Sequence, residues 1–299
     1  MVMSTTAPGC VHAEEVLKAL ESMVGPVRRL EPVTRGYTHN KRVVATLVGG
    51  GPVFAKQAVD EETAQWLRQE HQMYEGLRGR PFMPRILGWS DGERPILVLE
   101  DLSAGTWPPP WERAQIDAVL GTLAAVAHSD APGHLARLTD GGEQPDEGWH
   151  RVVGDPTEFL SLGLCGAGWL ETAGPVLCAA AQAAPLSGSS LLHSDARSDN
   201  LCFRRGSPVL VDWNLACMGN PELDVAFWLP SLAAENGPAP DDVMGDCPVE
   251  LAAYVSGFFA SRAGGAPIPH APLVRQVQRR QLETALPWAA RVLGLPAPA

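Results

Sequence analysis

No apolar run in this chain reaches the ~18 residues that a membrane-spanning helix needs, so no membrane partner is expected. The N-terminus lacks the basic and apolar blocks of a secretory leader, and Glu14, Glu15 and Glu21 interrupt its apolar residues, so no cleaved signal is expected. Cysteine is sparse: six are scattered with no Cys-x-x-Cys pair. That argues against a zinc site or a disulfide framework and fits reduced thiols in a cytoplasmic protein. Basic charge is short as well. Lys and Arg number 23 against 34 acidic residues, a formal net charge of −11. Such a balance argues against a nucleic-acid partner and mildly favours a cationic or neutral one. No internal repeat is visible.

What is present is globular. With 299 residues, 45% hydrophobic and 19% charged, the chain can form one large domain or two medium lobes. Its chemistry concentrates in one stretch, Leu191 to Trp213. Asp195 and Asn200 sit five apart, bracketed by apolar residues. Asp212 follows the short apolar run Val209-Leu210-Val211. The pattern predicts a buried strand, a functional loop, a second strand, a turn at Arg205-Gly206-Ser207-Pro208, and a third strand ending in an acid. Asp and Asn also cap ordinary turns. Placed around one point, however, a base, an amide ligand and an acidic ligand beside Mg²⁺ are what phosphoryl transfer from a nucleotide requires.

The rest of the chain supplies further parts. Residues 11–23 put Val16, Leu17, Leu20 and Met23 at helical spacing. Strands are expected at 27–33, 41–48 and 53–58. The polar segment Arg35-Gly36-Tyr37-Thr38-His39-Asn40 separates the first two, and Gly49-Gly50-Gly51-Pro52 the next two. Val53-Phe54-Ala55-Lys56 carries a lysine within an apolar strand, where it either faces outward or reaches a buried anion. Residues 61–77 predict a helix with Ala64, Leu67, His71, Tyr74 and Leu77 on one face. Glu70 on that helix lies 14 residues past Lys56; the rival acids Glu62 and Glu75 read as solvated. Strands at 83–89 and 95–102 follow. Composition then shifts to Ser103-Ala104-Gly105-Thr106-Trp107-Pro108-Pro109-Pro110, a linker. Beyond it the pattern is helical at 111–128, with Ile116, Val119, Leu120, Leu123 and Val126 on one face. Further helices are expected at 155–164, 168–184, from 219 through 233, 249–263 and 271–294. Residues 130–154 carry no assignable pattern.

His193-x-Asp195-x-x-x-x-Asn200, the apolar run and Asp212 together resemble the catalytic loop and metal-binding aspartate of eukaryotic-like kinases. The version ending Val211-Asp212-Trp213 looks like the aminoglycoside phosphotransferase, or small-molecule kinase, branch. The resemblance covers about residues 27–233 and is strongest at 191–226. It implies an α+β, bilobal protein kinase-like fold. A small antiparallel β-sheet N-lobe with one main helix would occupy residues 1–102, a hinge 103–110, and a larger, mostly helical C-lobe 111–299. It implies Mg²⁺ and ATP or GTP as phosphoryl donor.

Residue by residue, the resemblance makes Asp195 the base and Asn200 and Asp212 the metal ligands. Lys56, fixed by Glu70, would bind the α- and β-phosphates. Gly36, Tyr37, Thr38, His39 and Asn40 would form the loop over the phosphates, without the glycine-rich repeat of protein kinases. On the last N-lobe strand, just before the hinge, Leu99 would line the base pocket, while the Glu100 carbonyl and Leu102 amide reach the purine. His193 would pack under the loop. Asp224, in Gly219-Asn220-Pro221-Glu222-Leu223-Asp224-Val225-Ala226, would hold the loop's backbone. Arg197 stands where many protein kinases carry a lysine on the transferring phosphoryl group. It either serves the γ-phosphate or turns outward to pair with Asp199.

The expected activity is phosphoryl transfer to a hydroxyl of a small metabolite or antibiotic. A pseudokinase-like nucleotide-binding module and a metal-dependent phosphohydrolase are the other classes. Intact Lys56, Asp195, Asn200 and Asp212 argue against the first. The second needs further His or Asp ligands, and His193 is the nearby histidine. Members of the resembling family act on aminoglycosides, macrolides, amino sugars, choline and related alcohols, and antibiotic resistance is one role the resemblance implies. Asp140, Glu143, Asp146 and Glu147, or Asp241, Asp242 and Asp246, could meet a polycation or stay solvated. The chain ends Gly-Leu-Pro-Ala-Pro-Ala rather than in the acidic tail of some aminoglycoside kinases, which weakens the aminoglycoside assignment. The acceptor, the choice of ATP or GTP and the oligomeric state are not legible.

Overall fold

Short β-branched runs punctuated by Gly and Pro build strands, and longer runs of period 3.6 build helices. The structure, a computed structural model, describes residues 8–34, 36, 39–140, 148–269 and 271–298. The chain divides after Gly105 into two compact units. No helix among the described residues is long and apolar enough to cross a membrane.

The first unit runs α1 (Pro8–Val24), β1 (Val27–Pro32), β2 (Lys41–Leu47), β3 (Pro52–Gln57), α2 (Glu61–Gly76), β4 (Ile86–Ser90) and β5 (Ile96–Glu100). Among the described residues its strands form one antiparallel sheet in the order β1-β2-β3-β5-β4. Leu20 from α1 packs with Ala45, Val53, Ala55, Ile96 and Val98 of the sheet. Gly88 lets α1 lie close on β4, since a Cβ there would stand 2.9 Å from the Met23 side chain.

Asp60 starts α2. Its carboxylate accepts from the Thr63 N–H at 2.8 Å, while the Thr63 hydroxyl accepts from the Asp60 N–H at 3.1 Å. This reciprocal cap fixes where the helix begins and so which residues face inward. The inward face holds Thr63, Ala64, Leu67, Glu70, Met73 and Tyr74. His71, expected on that face, is only half-buried and stacks on Trp89 with ring centroids 4.0 Å apart. Glu70 takes the inward position because it has a buried cation to meet.

The second unit runs α3 (Arg113–Ala127), α4 (Gly148–Gly154), α5 (Thr157–Leu160), α6 (Ala167–Gln182), β6 (Ser190–Leu192), β7 (Leu201–Arg204), β8 (Ser207–Leu210), β9 (Cys217–Gly219), α7 (Glu222–Ala234), α8 (Pro240–Val243), α9 (Val249–Ala263) and α10 (Val274–Val292). β7 and β8 form the expected hairpin. β6 pairs instead with β9, antiparallel. The loop carrying Asp195 therefore runs from one small sheet to another. Of the segment without a pattern, residues 136–138 bond to Met218 of β9 and Gly148–Gly154 is helical. The helix expected at 155–164 is a single turn, ended before Gly163, whose φ of +70° does not continue a helix. α4 and α9 cross at Gly148 and Gly257, where a Cβ on Gly148 would stand 2.4 Å from the Gly257 backbone.

Candidate active site

In the first unit, β3 lies between β2 and β5, with Lys56 opposite Arg42 on one side and Leu97 on the other. The backbone of Lys56 is thus fixed from both sides. Its side chain does not face water: Lys56 keeps 5% of its surface and Glu70 keeps 2%. Lys56 Nζ donates to Glu70 Oε2 at 2.7 Å, and the Tyr74 hydroxyl donates to Oε1 at 3.2 Å. Two buried charges are tolerated here because each satisfies the other, and removing one would strand its partner. Glu62 and Glu75 are exposed, and Glu75 pairs with Arg78.

Leu99 is buried in β5 opposite Phe54. The Glu100 carboxylate accepts from the Arg85 N–H at 3.0 Å and pairs with Arg85 Nε at 3.2 Å. Leu102 is half-buried, and its carbonyl accepts from Gly105 at 2.9 Å. Gly36 is exposed with φ +110°, where a Cβ would meet the Arg42 guanidinium at 2.8 Å. His39 is exposed and Asn40 buried, the Asn40 carbonyl accepting from Arg42 at 3.3 Å. Tyr37 and Thr38 lie outside the described residues, as do Glu143, Asp146 and Glu147.

In the second unit the loop hangs from Asp224. Its two carboxylate oxygens accept from the His193 and Ser194 backbone N–H groups, each at 2.7 Å. Burial pushes the Asp224 carboxyl up to about 6, and those two hydrogen bonds act against it. Ser194 adopts φ +66°, which turns the chain sharply toward Asp195. His193 is fully buried, edge-on to Trp213 with centroids 4.5 Å apart. Burial drives its pKa down to about 4, so the ring is neutral. Its Nε2 lies 2.9 Å from the Val211 carbonyl, and its Nδ1 accepts from the Asp195 N–H at 3.3 Å. Nε2 must therefore carry the proton and donate to Val211. His193 thus ties the start of the loop to the residue before Asp212.

Asn200 closes the loop. Its Nδ2 donates to the Asp195 carbonyl at 3.0 Å and to Asp195 Oδ2 at 2.8 Å. That leaves the amide oxygen for a cation. Arg197 neither turns outward nor pairs with Asp199 alone. Its Nε stands 2.9 Å from Asp195 Oδ1, its Nη2 donates to Asp195 Oδ2 at 3.1 Å, and Nη2 also lies 3.3 Å from Asp199 Oδ2. Burial raises the Asp195 pKa to about 7; Arg197 opposes this, Asp199 and Asp212 add to it, and Asn200 opposes it. Asp212 has left-handed backbone, φ +62° and ψ +59°, and its charge also acts on His193 and Asp199. Left-handed backbone is rare outside glycine and commonest for Asn and Asp.

The structure thus brings Lys56 together with Glu70 in one unit. In the other it brings His193, Asp195, Arg197, Asn200 and Asp224 together, within the field of Asp212. It also adds residues that the sequence reading did not single out. Glu235, just past α7, accepts through Oε1 from the Ser198 hydroxyl and through Oε2 from the Trp111 indole N–H at 2.8 Å. These partners are 37 and 124 positions away, so no local pattern marks them.

No curated protein sequence matches the chain. Among solved structures, a thermostable mutant of aminoglycoside phosphotransferase APH(4)-Ia, in ternary complex with AMP-PNP and hygromycin B, has a TM-score of 0.59 at 16% identity, covering 94% of this chain and 98% of its own. The choline kinase LicA from Streptococcus pneumoniae gives 0.60 at 14% identity, covering 92% and 99%. A Plasmodium vivax ethanolamine kinase gives 0.59 at 12% identity, covering 98% of each. These likenesses establish the protein kinase-like fold. The family model described as phosphotransferase enzyme family matches residues 29–247, and the chain belongs to that family of enzymes.

Proposed function

We propose that this chain is a small-molecule O-phosphotransferase that moves the γ-phosphoryl group of ATP or GTP to a hydroxyl of a small acceptor. The observation that carries the reading is the setting of Asp195. One carboxylate oxygen is held by Asn200 at 2.8 Å, the guanidinium of Arg197 bridges both, and 28% of the side-chain surface stays open to a substrate. A pKa of about 7 suits a group that must take a proton near neutral pH.

In the proposed step, Asp195 orients the acceptor hydroxyl and accepts its proton. The acceptor oxygen bonds to the γ-phosphorus as the bond to the β-phosphate oxygen breaks, and the nucleoside diphosphate leaves with that electron pair. Lys56, held straight by Glu70, would bind the α- and β-phosphates. Arg197 offers its fork to the γ-phosphate oxygens once a nucleotide competes with Asp195 for it. Asn200 and Asp212 would hold Mg²⁺, and they fit it: an amide oxygen and a carboxylate are hard donors, and Mg²⁺ takes few protein ligands beside phosphates. When bound, Mg²⁺ neutralises charge on the triphosphate. The chain's own work is positioning and charge stabilisation.

For the acceptor we propose a hydroxylated amine. The net charge of −11 favours a cation, and the relatives named for choline and ethanolamine support the same class. The test is phosphorus NMR of the purified protein with Mg²⁺ and ATP or GTP, against choline, ethanolamine and hygromycin B. A phosphate ester that forms with wild type and not with Asp195→Asn is the expected result. No ester with any acceptor, and no Asp195-dependent nucleotide hydrolysis, would overturn the reading.

A further inference from the structure

Asp224 shares its helix face with a second acid. α7 turns about 100° and rises about 1.5 Å per residue. Asp224, Trp228 and Ser231 therefore line one stripe, which ends at Glu235, the residue that caps α7. The stripe is about 16 Å long. Its two end carboxylates both reach the catalytic loop. Asp224 takes the His193 and Ser194 N–H groups, and Glu235 takes the Ser198 hydroxyl. The segment from 193 to 198 can span at most about 17 Å, so one helix face can anchor both of its ends. Asp195 and Arg197 lie between the anchors.

The second anchor is itself held. The other Glu235 oxygen accepts from the Trp111 indole, and Trp111 lies edge-on to Trp228, two stripe positions back, with centroids 5.5 Å apart. Among the described residues the half-buried Glu235 carboxylate meets these two neutral donors and no cation. A charged acceptor makes such hydrogen bonds shorter and stronger. A glutamate placed only for solubility would leave its oxygens in water.

We propose that Glu235 is a positioning residue: with Asp224 it makes α7 a two-point clamp that sets the direction of Asp195 and Arg197. The kinetic part of this inference rests on the proposed function; the clamp itself does not. Glu235→Gln is close in shape, but its amide nitrogen would face one of the two donors. Hydrogen exchange by mass spectrometry on the full chain reads the clamp directly. Peptides covering 193–201 should exchange ~10-fold faster in Glu235→Gln and in Ser198→Ala, as expected for loss of one charge-assisted hydrogen bond. Peptides from α9 and α10 should exchange as in wild type. Hydrolysis of Mg·ATP or Mg·GTP should fall about 5–20-fold in kcat with KM for the nucleotide within about two-fold. The double variant should be no worse than either single, and Ser198→Thr should restore the rate. Wild-type exchange of 193–201 in both single variants would overturn the clamp. A wild-type protein without nucleotide turnover would count against Asp195 as base, while exchange would still decide the clamp.

Discussion

Arg197 clasps the carboxylate of Asp195 from two residues away, Nε at 2.9 Å from one oxygen and Nη2 at 3.1 Å from the other. The loop thereby neutralises its own proposed base. Of these two contacts Nη2 has hydrogen-bond geometry and Nε has proximity alone, and Arg197 keeps only 16% of its side-chain surface. The pair is therefore screened less than a surface bridge. Two opposed effects act on Asp195: burial favours the neutral acid, and Arg197 favours the anion. Burial wins, and the balance leaves the group titrating near neutrality.

Asp195→Asn should lower kcat by about 10²–10⁴-fold, the usual cost of a lost general base, with little change in Tm. The asparagine keeps one acceptor for Arg197 or Asn200, and it no longer has to be desolvated as an anion. Steady-state kinetics and a thermal melt check both halves. Turnover within a few-fold of wild type would remove Asp195 from the role of base.

The pH profile carries the sign of the Arg197 interaction. Asp195 must be ionised to accept a proton, so kcat/KM should rise with pH through about 7 in the free enzyme. Arg197 stabilises the anion. Arg197→Ala should therefore move this limb to higher pH, besides lowering kcat and kcat/KM together. Arg197→Lys should recover part of both, since charge survives without the fork. His193 does not enter this window, because it is neutral above about 4. A limb that stays put or moves to lower pH in Arg197→Ala would contradict the proposed balance.

Asp212 is best tested by asparagine. Its φ of +62° suits Asp or Asn better than Ala, so Asp212→Asn changes charge without adding backbone strain. Calorimetric titration with Mg·ATP or Mg·GTP should show binding lost in the variant, and the fold retained by melting. Unchanged affinity would move the metal site elsewhere in the chain.

Local spacing made part of this site legible. Asp195 and Asn200 fall within one loop, and Lys56 and Glu70 sit one strand and part of a helix apart, so their spacing is short enough to carry the kinase resemblance that singled them out. The inward turn of Glu70 in place of His71 was not legible in the hydrophobic period and was expected only through the resemblance, which pairs Glu70 with Lys56. Hydrophobic period ranks the histidine above the glutamate, and only the buried lysine reverses that order. The β6–β9 pairing was hidden because Cys217–Gly219 is too short to show alternation. α4 was hidden by its flanking Gly and acidic residues. The Glu235 contacts join residues far apart in sequence, and the direction of Arg197 depends on side-chain geometry that spacing does not encode.

Lys56 and Glu70 should behave as one unit. Both are nearly inaccessible, and their atoms meet at 2.7 Å. Lys56→Ala leaves the buried Glu70 carboxylate without the ammonium it pairs with, and Glu70→Ala leaves a buried ammonium without that carboxylate. Each should cost about 3–5 kcal/mol in stability, mostly for the stranded charge. The double variant strands nothing, so its loss should be well below the sum of the singles. Activity should follow a different rule: all three variants should lose turnover to a similar degree, because the proposed role of Glu70 is to aim Lys56. Tyr74→Phe separates the two effects. It removes one hydrogen bond to Glu70, about 1 kcal/mol, and keeps the ion pair, so stability should fall slightly while turnover holds. Urea melts and initial rates on the four variants complete the cycle. Additive stability losses would show that the charges do not depend on each other, and a Glu70→Ala enzyme at full rate would mean that Lys56 needs no aiming.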